Sequence, residues 1–479
     1  MNGARLRVIG AGLAGCEAAW QAARRGLDVE LCEMRPLRSG PAHRTARFAE
    51  LVCSNSLRGV ALENAVGLLK EELVRLDSLI VGCARASAVP AGGALAVDRE
   101  RFSALVEERL FAQPRVRIVR EEVCEIEAGL PTIVACGPLP SAPLAAAIDA
   151  LVARVPLAEP SARRRLHYYD AASPIVAADS LDLGPMYRKS RYDKGDGDDY
   201  LNLPLDREQY LQLVRDLREL PKTEPKEFEG DLAEGGSLYF EGCLPIEELA
   251  ARGEETLRFG PLKPVGLRDP RTGQTPHAVV QLRKENLDGS AYNLVGFQTR
   301  LTWPAQKEAF GHLPGLAGAE WLRLGVMHRN AFLDAPRLLE ADLRLRGVPN
   351  VWFAGQITGA EGYVEAAACG ALAGIAAVHA LRDLPKVAVP SGTALGAVVA
   401  HLQNRASPDF QPANVTWAYI HDDGDGEGSG GEDRRDERGR RLGKRERRRL
   451  LAERALGRIA AWSAELELMR LPEIEPAIR

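Results

Sequence analysis

The fold expected for this chain is decided by the stretch Val8-Ile9-Gly10-Ala11-Gly12-Leu13-Ala14-Gly15, in which an apolar run passes directly into Gly-x-Gly-x-x-Gly. A helix-favouring segment follows, and the next apolar run ends at an acid, Glu33. Gly10 permits a tight turn, Gly12 lets the backbone approach a pyrophosphate, and Gly15 lets the helix pack close to the strand. The helix N-terminus attracts phosphate, and Glu33 is placed to accept hydrogen bonds from a ribose. The residues predicted to contact a dinucleotide are Gly10, Ala11, Gly12, Leu13, Ala14, Gly15 and Glu33.

A second strand–glycine–helix pattern lies far along the chain. The apolar run Val351–Ala354 passes into Gly355-Gln356-Ile357-Thr358-Gly359, and an alanine-rich helix is predicted over Tyr363–Leu381. A second helix N-terminus would thereby reach the same nucleotide, so Gly355, Gln356 and Gly359 are predicted to contact it as well. One further glycine match, at residues 426–431, has no strand before it and no helix after it, which indicates a flexible linker. A separate NAD(P) domain is therefore not expected.

These two patterns predict an α/β protein: an FAD-binding, Rossmann-like domain of the glutathione-reductase type with an inserted α+β domain. Further strands of the first part are predicted at 116–119, 123–126 and 132–135. The predicted divisions are 1–140 (first part of the FAD-binding domain), 141–325 (inserted substrate and tRNA domain), 326–415 (return of the FAD-binding domain), 416–433 (acidic, Gly-rich linker) and 434–479 (basic C-terminal helical segment).

Composition narrows the class of protein. The chain has 479 residues, 46% of them hydrophobic and 27% charged, with a formal net charge of −4, so any nucleic-acid binding must come from local patches. We expect no membrane span and no signal peptide, and hence a cytoplasmic protein. The eight cysteines are dispersed without a Cys-x-x-Cys pair, which argues against structural zinc, or any other metal site, and against a flavin disulfide reductase.

Local patches that could bind RNA occur in two places. Basic clusters at 163–165 and 188–194 stand beside Tyr168, Tyr169, Tyr187 and Tyr192, a combination that suits phosphate contact and base stacking, or else a solvated loop. Residues 434–458 hold twelve Lys/Arg and four Asp/Glu, with a helical face of Leu450, Leu451, Ala455 and Ile459. That segment could engage a nucleic-acid backbone or be a solvated surface helix.

Two thiols stand in unusual settings. Cys53 lies in a run of small polar residues near Arg58, where a thiol can be reactive, although an inert cysteine at a strand end fits equally well. Cys243 lies on a glycine turn after the aromatic strand Leu238–Phe240.

Several blocks around these thiols identify a resemblance. The chain resembles the bacterial folate- and FAD-dependent tRNA (uracil-5-)-methyltransferases from about residue 5 to residue 415. It departs from them at Asp196–Asp199 and in its long acidic and Arg-rich tail. The matching blocks are 49–57, 88–99, 189–195, 240–243, 325–330 and 353–356.

The resemblance implies a flavoprotein methyltransferase of tRNA processing that makes 5-methyluridine at T-loop position 54. Methylenetetrahydrofolate would supply the carbon, reduced FAD the electrons, and NAD(P)H would reduce the flavin. By resemblance Cys243 is the thiolate that adds to uracil C6, Cys53 handles or assists the C5 proton, and the two roles could be reversed. Tyr363 would stack or handle a proton.

Other functions remain open at this point. They are a related flavoprotein that modifies the wobble uridine of tRNA, a generic NAD(P)H-dependent flavin oxidoreductase, and a non-catalytic tRNA-binding flavoprotein.

Overall fold

The computed structural model describes residues 5–127, 129–157, 164–223, 244–406, 410–420 and 443–468. Its strands are β1 Arg5–Ile9, β2 Asp28–Glu33, β3 Ser56–Gly59, β4 Ala88–Val89, β5 Ala94–Val97, β6 Val116–Arg120, β7 Thr132–Val134, β8 Arg165–Ala171, β9 Ile175–Ala177, β10 Tyr187–Arg188, β11 Tyr200–Leu205, β12 Ala278–Lys284, β13 Ala291–Leu294, β14 Trp321–Arg323, β15 Met327–Leu333 and β16 Val351–Phe353. Its helices are α1 Leu13–Arg24, α2 Ala65–Arg75, α3 Leu79–Ala86, α4 Arg99–Phe111, α5 Ala142–Val152, α6 Arg207–Glu219, α7 Ile246–Arg252, α8 Thr256–Phe259, α9 Trp303–Gly311, α10 Ala335–Leu338, α11 Tyr363–Leu381, α12 Ala394–Leu402 and α13 Lys444–Leu468.

The first unit is built on a parallel five-stranded sheet in the order β16-β7-β1-β2-β6. Its central strand β1 pairs Val8 with Leu31 of β2 and with Ile133 of β7. These side chains are fully buried, as expected for a sheet covered on both faces. The carboxyl ends of β1 and β16 therefore lie at one edge of the sheet, as the glycine patterns that follow them predict.

Helices α1 and α11 lie against each other along a seam of small residues. A side chain at Gly370 would overlap the carbonyl oxygen of Ala14, and a Cβ at Gly374 would lie 2.6 Å from the carbonyl oxygen of Ala18. The two helix backbones can approach this closely only because both positions are glycine. The seam fixes the two helices that begin at the carboxyl edge of the sheet relative to each other.

The second unit has its own hydrophobic core around a six-stranded sheet in the order β10-β11-β12-β13-β9-β14. Helices α6, α7 and α9 contribute Leu213, Ile246 and Phe310 to that core. A two-stranded antiparallel ribbon of β8 and β15 connects this unit to the first. The strands of this sheet lie between residues 175 and 323, within the range 141–325 predicted for the inserted domain, and the unit contains both helices and strands.

Two details differ from the sequence-based expectations. Residues 123–126 form no strand, because β6 is the edge strand and ends at Arg120. Helix α5, which follows the boundary predicted at residue 140, packs Leu144, Ile148 and Leu151 into the first core rather than the second. The first core therefore continues past that boundary.

The C-terminal helix α13 packs on α2 of the first unit. Its buried residues are Ala452, Ala455, Leu456, Ile459, Trp462 and Leu466. The predicted apolar face is correct at Ala455 and Ile459 but wrong at Leu450, which is 40% exposed. The helix therefore buries one apolar stripe against the protein, and none of its charged side chains is among the buried residues. Of the linker predicted at 416–433, residues 421–433 lie outside the described residues, whereas 416–420 are ordered and Ile420 is buried in the first core.

Helix α11 is long and apolar enough to cross a membrane, with a mean hydropathy of 1.7 over its most apolar window. In the fold, 89% of that window is buried, so its composition is that of a core helix. No other helix in the described ranges passes the same test. The alanines of α11 give it a high hydropathy without large side chains.

Candidate active site

The glycine turn between β1 and α1 has the geometry that its sequence predicts. Gly10 has a φ of +98°, and a Cβ there would lie 2.6 Å from the carbonyl oxygen of Ala135. A Cβ at Gly15 would overlap the carbonyl oxygen of Gly10, whereas a Cβ at Gly12 would meet no protein atom within 4 Å. Two of the glycines thus permit close packing, and the third leaves open space at the N-terminus of α1.

Glu33 lies at the end of β2 beside this turn, but its carboxylate is already well bonded. It accepts hydrogen bonds from the Ala11 N–H (2.9 Å) and from Arg35, at 3.0 Å (backbone), 2.8 Å (Nε) and 3.1 Å (Nη2). Burial would raise the pKa of Glu33, yet the hydrogen bonds and charge of Arg35 outweigh it, and the pKa lies below its ordinary value. A carboxylate has about four acceptor sites, so a ribose hydroxyl would have to replace one of the Arg35 bonds.

The turn after β16 meets the first turn directly. Gly355 has a φ of +85°, and a Cβ there would lie 2.8 Å from the Cβ of Ala14. Gly359 also has a positive φ, and Phe410 packs against its backbone. The Gln356 Nε2 donates to the Glu361 carboxylate at 2.8 Å, so part of its amide is already engaged.

A groove runs along the carboxyl edge of the sheet and joins these turns. It has about 1060 Å³ of free space, open solvent at its mouth included, and Gly10, Gly12, Glu33, Gly355 and Gln356 line it. The ring of His43, a residue that the sequence did not single out, lines the same groove. Its Nδ1 is buried and has no hydrogen-bond partner among the described residues.

Cys53 lies next to this groove on the loop that precedes β3. The hydroxyl of Tyr363, the first residue of α11, accepts hydrogen bonds from the N–H groups of Cys53 (2.9 Å) and Ser54 (3.1 Å). Burial, and then the neighbouring Cys53, raises the pKa of Tyr363 above its ordinary value, so the phenol keeps its proton. The structure therefore joins Cys53 to Tyr363, 310 residues later in the chain.

Three arginines hold the loop around Cys53, two through its backbone and one through its side chains. Arg99, at the start of α4, donates to the carbonyls of Leu51 and, at 3.3 Å, of Cys53. Arg323 on β14 donates to the carbonyl of Val52. In addition, Arg283 on β12 donates to the Ser54 hydroxyl at 3.2 Å and to the Asn55 side chain at 3.0 Å. The cysteine loop is thus fixed by residues from both units. These arginine contacts could not be predicted from local sequence patterns, because each one joins residues more than 40 positions apart in the chain.

Arg323 is buried to the same extent as Arg283. Its residue is 7% exposed, and its Nε has no hydrogen-bond partner in the part of the chain that the structure describes. Burial lowers the pKa of Arg323, and the nearby Arg99 lowers it further. Positive groups beside a cysteine favour its thiolate form.

A second cavity, of about 1150 Å³ with its open mouth included, contains the Cys53 side chain. Six of its lining residues also line the groove along the carboxyl edge of the sheet: Ala42, Val52, Pro138, Leu139, Gln356 and Tyr363. The other polar residues that line it are Ser54, Ser56, Arg58, Arg283, Gln298, Asn330, Glu361 and Asn414. The two spaces therefore adjoin and share part of their walls, so a ligand in the groove would lie near the thiol cavity.

Cys243 lies outside the described residues, so its role stays a prediction. The described chain resumes at Leu244, and the N–H of Ile246 donates to the carbonyl of Gln298 at 2.7 Å. Gln298 lines the Cys53 cavity.

The basic clusters of the second unit are only partly available for RNA. Tyr187 is buried and its hydroxyl donates to the carbonyl of Leu267 at 2.5 Å, so it cannot stack on a base. Arg191 donates to the carbonyls of Lys263 (2.8 Å) and Val265. Tyr192, by contrast, is 57% exposed.

One group of side chains in the described ranges has the spacing to hold a metal ion: Glu30, Cys32 and Glu121. Arg5, Arg7 and Arg117 form ion pairs with Glu30 and already supply positive charge there. Burial, and then Glu121, raises the pKa of Cys32 to about 12, so its thiol stays protonated. The group is explained as an ion-pair cluster.

Comparisons with known proteins agree on one family. A family model described as glucose inhibited division protein A matches residues 5–385. A relative from Pelobacter propionicus named methylenetetrahydrofolate--tRNA-(uracil-5-)-methyltransferase TrmFO is 54% identical over 458 residues, 95% of this chain and 94% of the relative. A relative of the same name from Geobacter sulfurreducens is 53% identical and covers 97% of this chain and 100% of its own.

Among solved structures, Aquifex aeolicus GidA in its form II crystal aligns with a TM-score of 0.67. The alignment covers 98% of this chain and 74% of that one at 15% identity, a level that shows the fold alone. The predicted fold class is thereby confirmed.

Proposed function

Because this chain belongs to the TrmFO group of the family described as glucose inhibited division protein A, we propose that it methylates C5 of a uridine in tRNA. Methylenetetrahydrofolate is the carbon donor in this proposal, and the target is the T-loop uridine at position 54. The observation that carries the proposal is that the groove at the glycine turns and the cavity of Cys53 adjoin and share the lining residues Val52, Gln356 and Tyr363. A nucleotide cofactor and a reactive thiol would meet there.

The groove fits FAD. The space left open at Gly12, the N-termini of α1 and α11, and the unpartnered Nδ1 of His43 suit a dinucleotide with negative phosphates. Gly12 would let the backbone approach it, while Gly10, Gly15 and Gly355 allow the close packing that holds the two turns together. Bound there, FAD that NAD(P)H has reduced supplies the two electrons that convert the methylene carbon to a methyl group.

The thiols act on the uracil. Uracil C5 is a weak nucleophile, so the Cys243 thiolate adds to C6 and makes C5 enolate-like. C5 then bonds to the methylene carbon of the folate, and Cys53 takes the C5 proton. Loss of that proton lets the bond between the methylene carbon and the folate nitrogen break, so tetrahydrofolate leaves. A hydride equivalent from the reduced cofactor would then convert the C5 methylene to a methyl group as the C6–S bond breaks and returns the Cys243 thiolate. Tyr363, Arg99 and Arg323 hold the Cys53 backbone in place while this occurs.

A methylation assay tests the proposal. The full chain is incubated with a tRNA transcript, FAD, NADH or NADPH, and methylenetetrahydrofolate labelled in its methylene carbon. We expect label at C5 of the T-loop uridine, and none when that uridine is replaced by cytidine. Label at a wobble uridine, or NAD(P)H oxidation without any label in RNA, would contradict the proposal.

Arg323→Leu is expected to slow methylation by at least tenfold. The substitution leaves the carbonyl of Val52 without its donor, so the Cys53 loop loses a contact to the second unit. Losing one partner of a buried hydrogen bond costs about 1–3 kcal/mol of folding stability. Steady-state methylation and thermal unfolding measure the two effects.

Arg218→Leu is the matched control, because the Arg218 Nε donates at 2.8 Å to the carbonyl of Ala250, within the second unit and away from the loop. Arg218 is exposed, so this variant should lose less stability than Arg323→Leu and should keep the methylation rate. Equal rate losses in both variants would refute a positioning role for Arg323.

A further inference from the structure

The first half of helix α13 carries a strong excess of positive charge. Residues 444–458 include seven Lys/Arg and two Glu, a surplus of five charges, whereas residues 459–468 hold two Glu and no cation. Five of the seven cations fall within the first six residues of the helix. We define Lys444–Arg458 as the basic half of α13.

Helix stability does not account for this order of charges. The N-terminus of a helix carries the positive end of its dipole, which favours acids, and the C-terminus favours cations. In α13 the cations come first and Glu465 and Glu467 come last, which is the reverse of the stabilising order. Burial of the stripe against α2 holds the helix in place despite this. An anionic partner at the N-terminal end would offset both the charge repulsion and the dipole.

The basic half is anchored beside the thiol cavity. The Arg448 guanidinium lies 5.5 Å from the centre of the Trp417 ring, and Arg445 pairs with Glu63 at 2.8 Å. The Trp417 Nε1 donates to the carbonyl of Glu63 at 2.8 Å.

Two short segments lead from this anchor to the cavity. Asn414, three residues before Trp417, lines the cavity, and so does Arg58, five residues before Glu63. Since an extended chain advances about 3.3–3.6 Å per residue, these segments span at most about 10 Å and about 18 Å. One polyanion could therefore contact the basic half and enter the cavity.

We propose that the basic half of α13 binds the phosphate backbone of the substrate tRNA outside the reacting loop. The proposal rests on the proposed function for the identity of the RNA. Phosphates carry the charge opposite to that of the basic half. The side chains of Lys444, Arg449 and Arg454 are exposed and could contact phosphates without requiring a particular base sequence.

The test compares two triple variants of the full chain. The basic-half variant carries Lys444→Gln, Arg449→Gln and Arg454→Gln. The control carries Arg101→Gln, Arg154→Gln and Arg215→Gln, exposed cations on α4, after α5 and on α6, with the same change in net charge. Binding to unmodified tRNA is measured between 50 and 200 mM salt, together with KM and kcat for methylation.

We expect the basic-half variant to bind tRNA at least tenfold more weakly and to show a shallower salt dependence. Each lost phosphate contact lowers the slope of log K against log salt by about 0.7–0.9. Its KM for tRNA should rise more than its kcat falls, and the control should keep both the slope and KM.

An unchanged salt slope in the basic-half variant, or an equal loss in the control, would overturn the proposal. If the wild-type protein binds tRNA with the expected slope but transfers no methyl group, the proposed function fails while the docking surface stands. Equal thermal unfolding temperatures for the three proteins exclude misfolding as the cause.

Discussion

Replacing Cys53 by alanine is expected to lower the rate of tRNA methylation by about 10³-fold. Proton transfer by a positioned side chain contributes about 10²–10⁴-fold to a rate, and Cys53 is proposed to take the C5 proton. The fold should be unaffected, because the bonds from Tyr363, Arg99 and Arg323 all reach the backbone of the loop rather than the thiol. Single-turnover methylation measures the loss.

Cys124→Ala provides a matched control, since Cys124 is exposed and lines neither the groove nor the cavity. It should methylate at the normal rate. Near-normal methylation by Cys53→Ala would show that Cys53 takes no part in the reaction and only lines the cavity.

A trapping experiment assigns the two thiols. With tRNA that contains 5-fluorouridine, the C5 fluorine cannot leave as a proton does, so a C6–thiol adduct accumulates. We expect Cys53→Ala to retain the adduct and Cys243→Ala to lose it, as judged by denaturing gel electrophoresis. The opposite pattern would exchange the roles of the two cysteines.

Gly12→Ala is expected to weaken FAD binding by at least 100-fold without destabilising the protein that lacks FAD. The backbone at Gly12 has a φ of −77°, which alanine adopts, and a Cβ there meets no protein atom within 4 Å. The methyl group would instead occupy the space predicted for the pyrophosphate. Flavin fluorescence titration measures the affinity, and thermal unfolding without FAD measures stability.

Gly15→Ala is the contrasting variant. Its Cβ would overlap the carbonyl oxygen of Gly10, so the backbone must shift, and overpacking of this kind costs about 1–3 kcal/mol or more. We expect it to unfold at a lower temperature even without FAD. If Gly12→Ala binds FAD normally, the cofactor does not pass over Gly12, and the assignment of the groove is wrong.

The sequence allowed the first unit to be predicted because its signals are local. An apolar run, a glycine turn and the start of a helix lie within 20 residues at β1 and again at β16, and the structure places both turns at one edge of the sheet. In the predicted strand at 123–126, apolar and other side chains alternate as they do in an edge strand. It does not form in the described structure, where β6 is the last strand of the sheet, and the sheet order is not a local property of the sequence.

The site could be predicted only in part for the same reason. Cys53 and Tyr363 were recognised through motifs, but nothing in either motif predicted a hydrogen bond from the Cys53 N–H to the Tyr363 hydroxyl. Arg283 and Arg323 come from strands of the second unit and reach the loop through its tertiary position. Likewise, the Arg35 bonds to Glu33 depend on how the chain turns after β2.

The seam between α1 and α11 has a consequence for the order of events during synthesis of the chain. Gly370 and Gly374 reach the first helix only after more than 340 residues beyond it have been made. At a synthesis rate of about 5–20 residues per second, Gly370 and Gly374 are made about 20–70 s after the first glycine turn. The flavin groove therefore cannot form until more than 370 residues have been made, and cofactor loading is expected late in the synthesis of the chain rather than early.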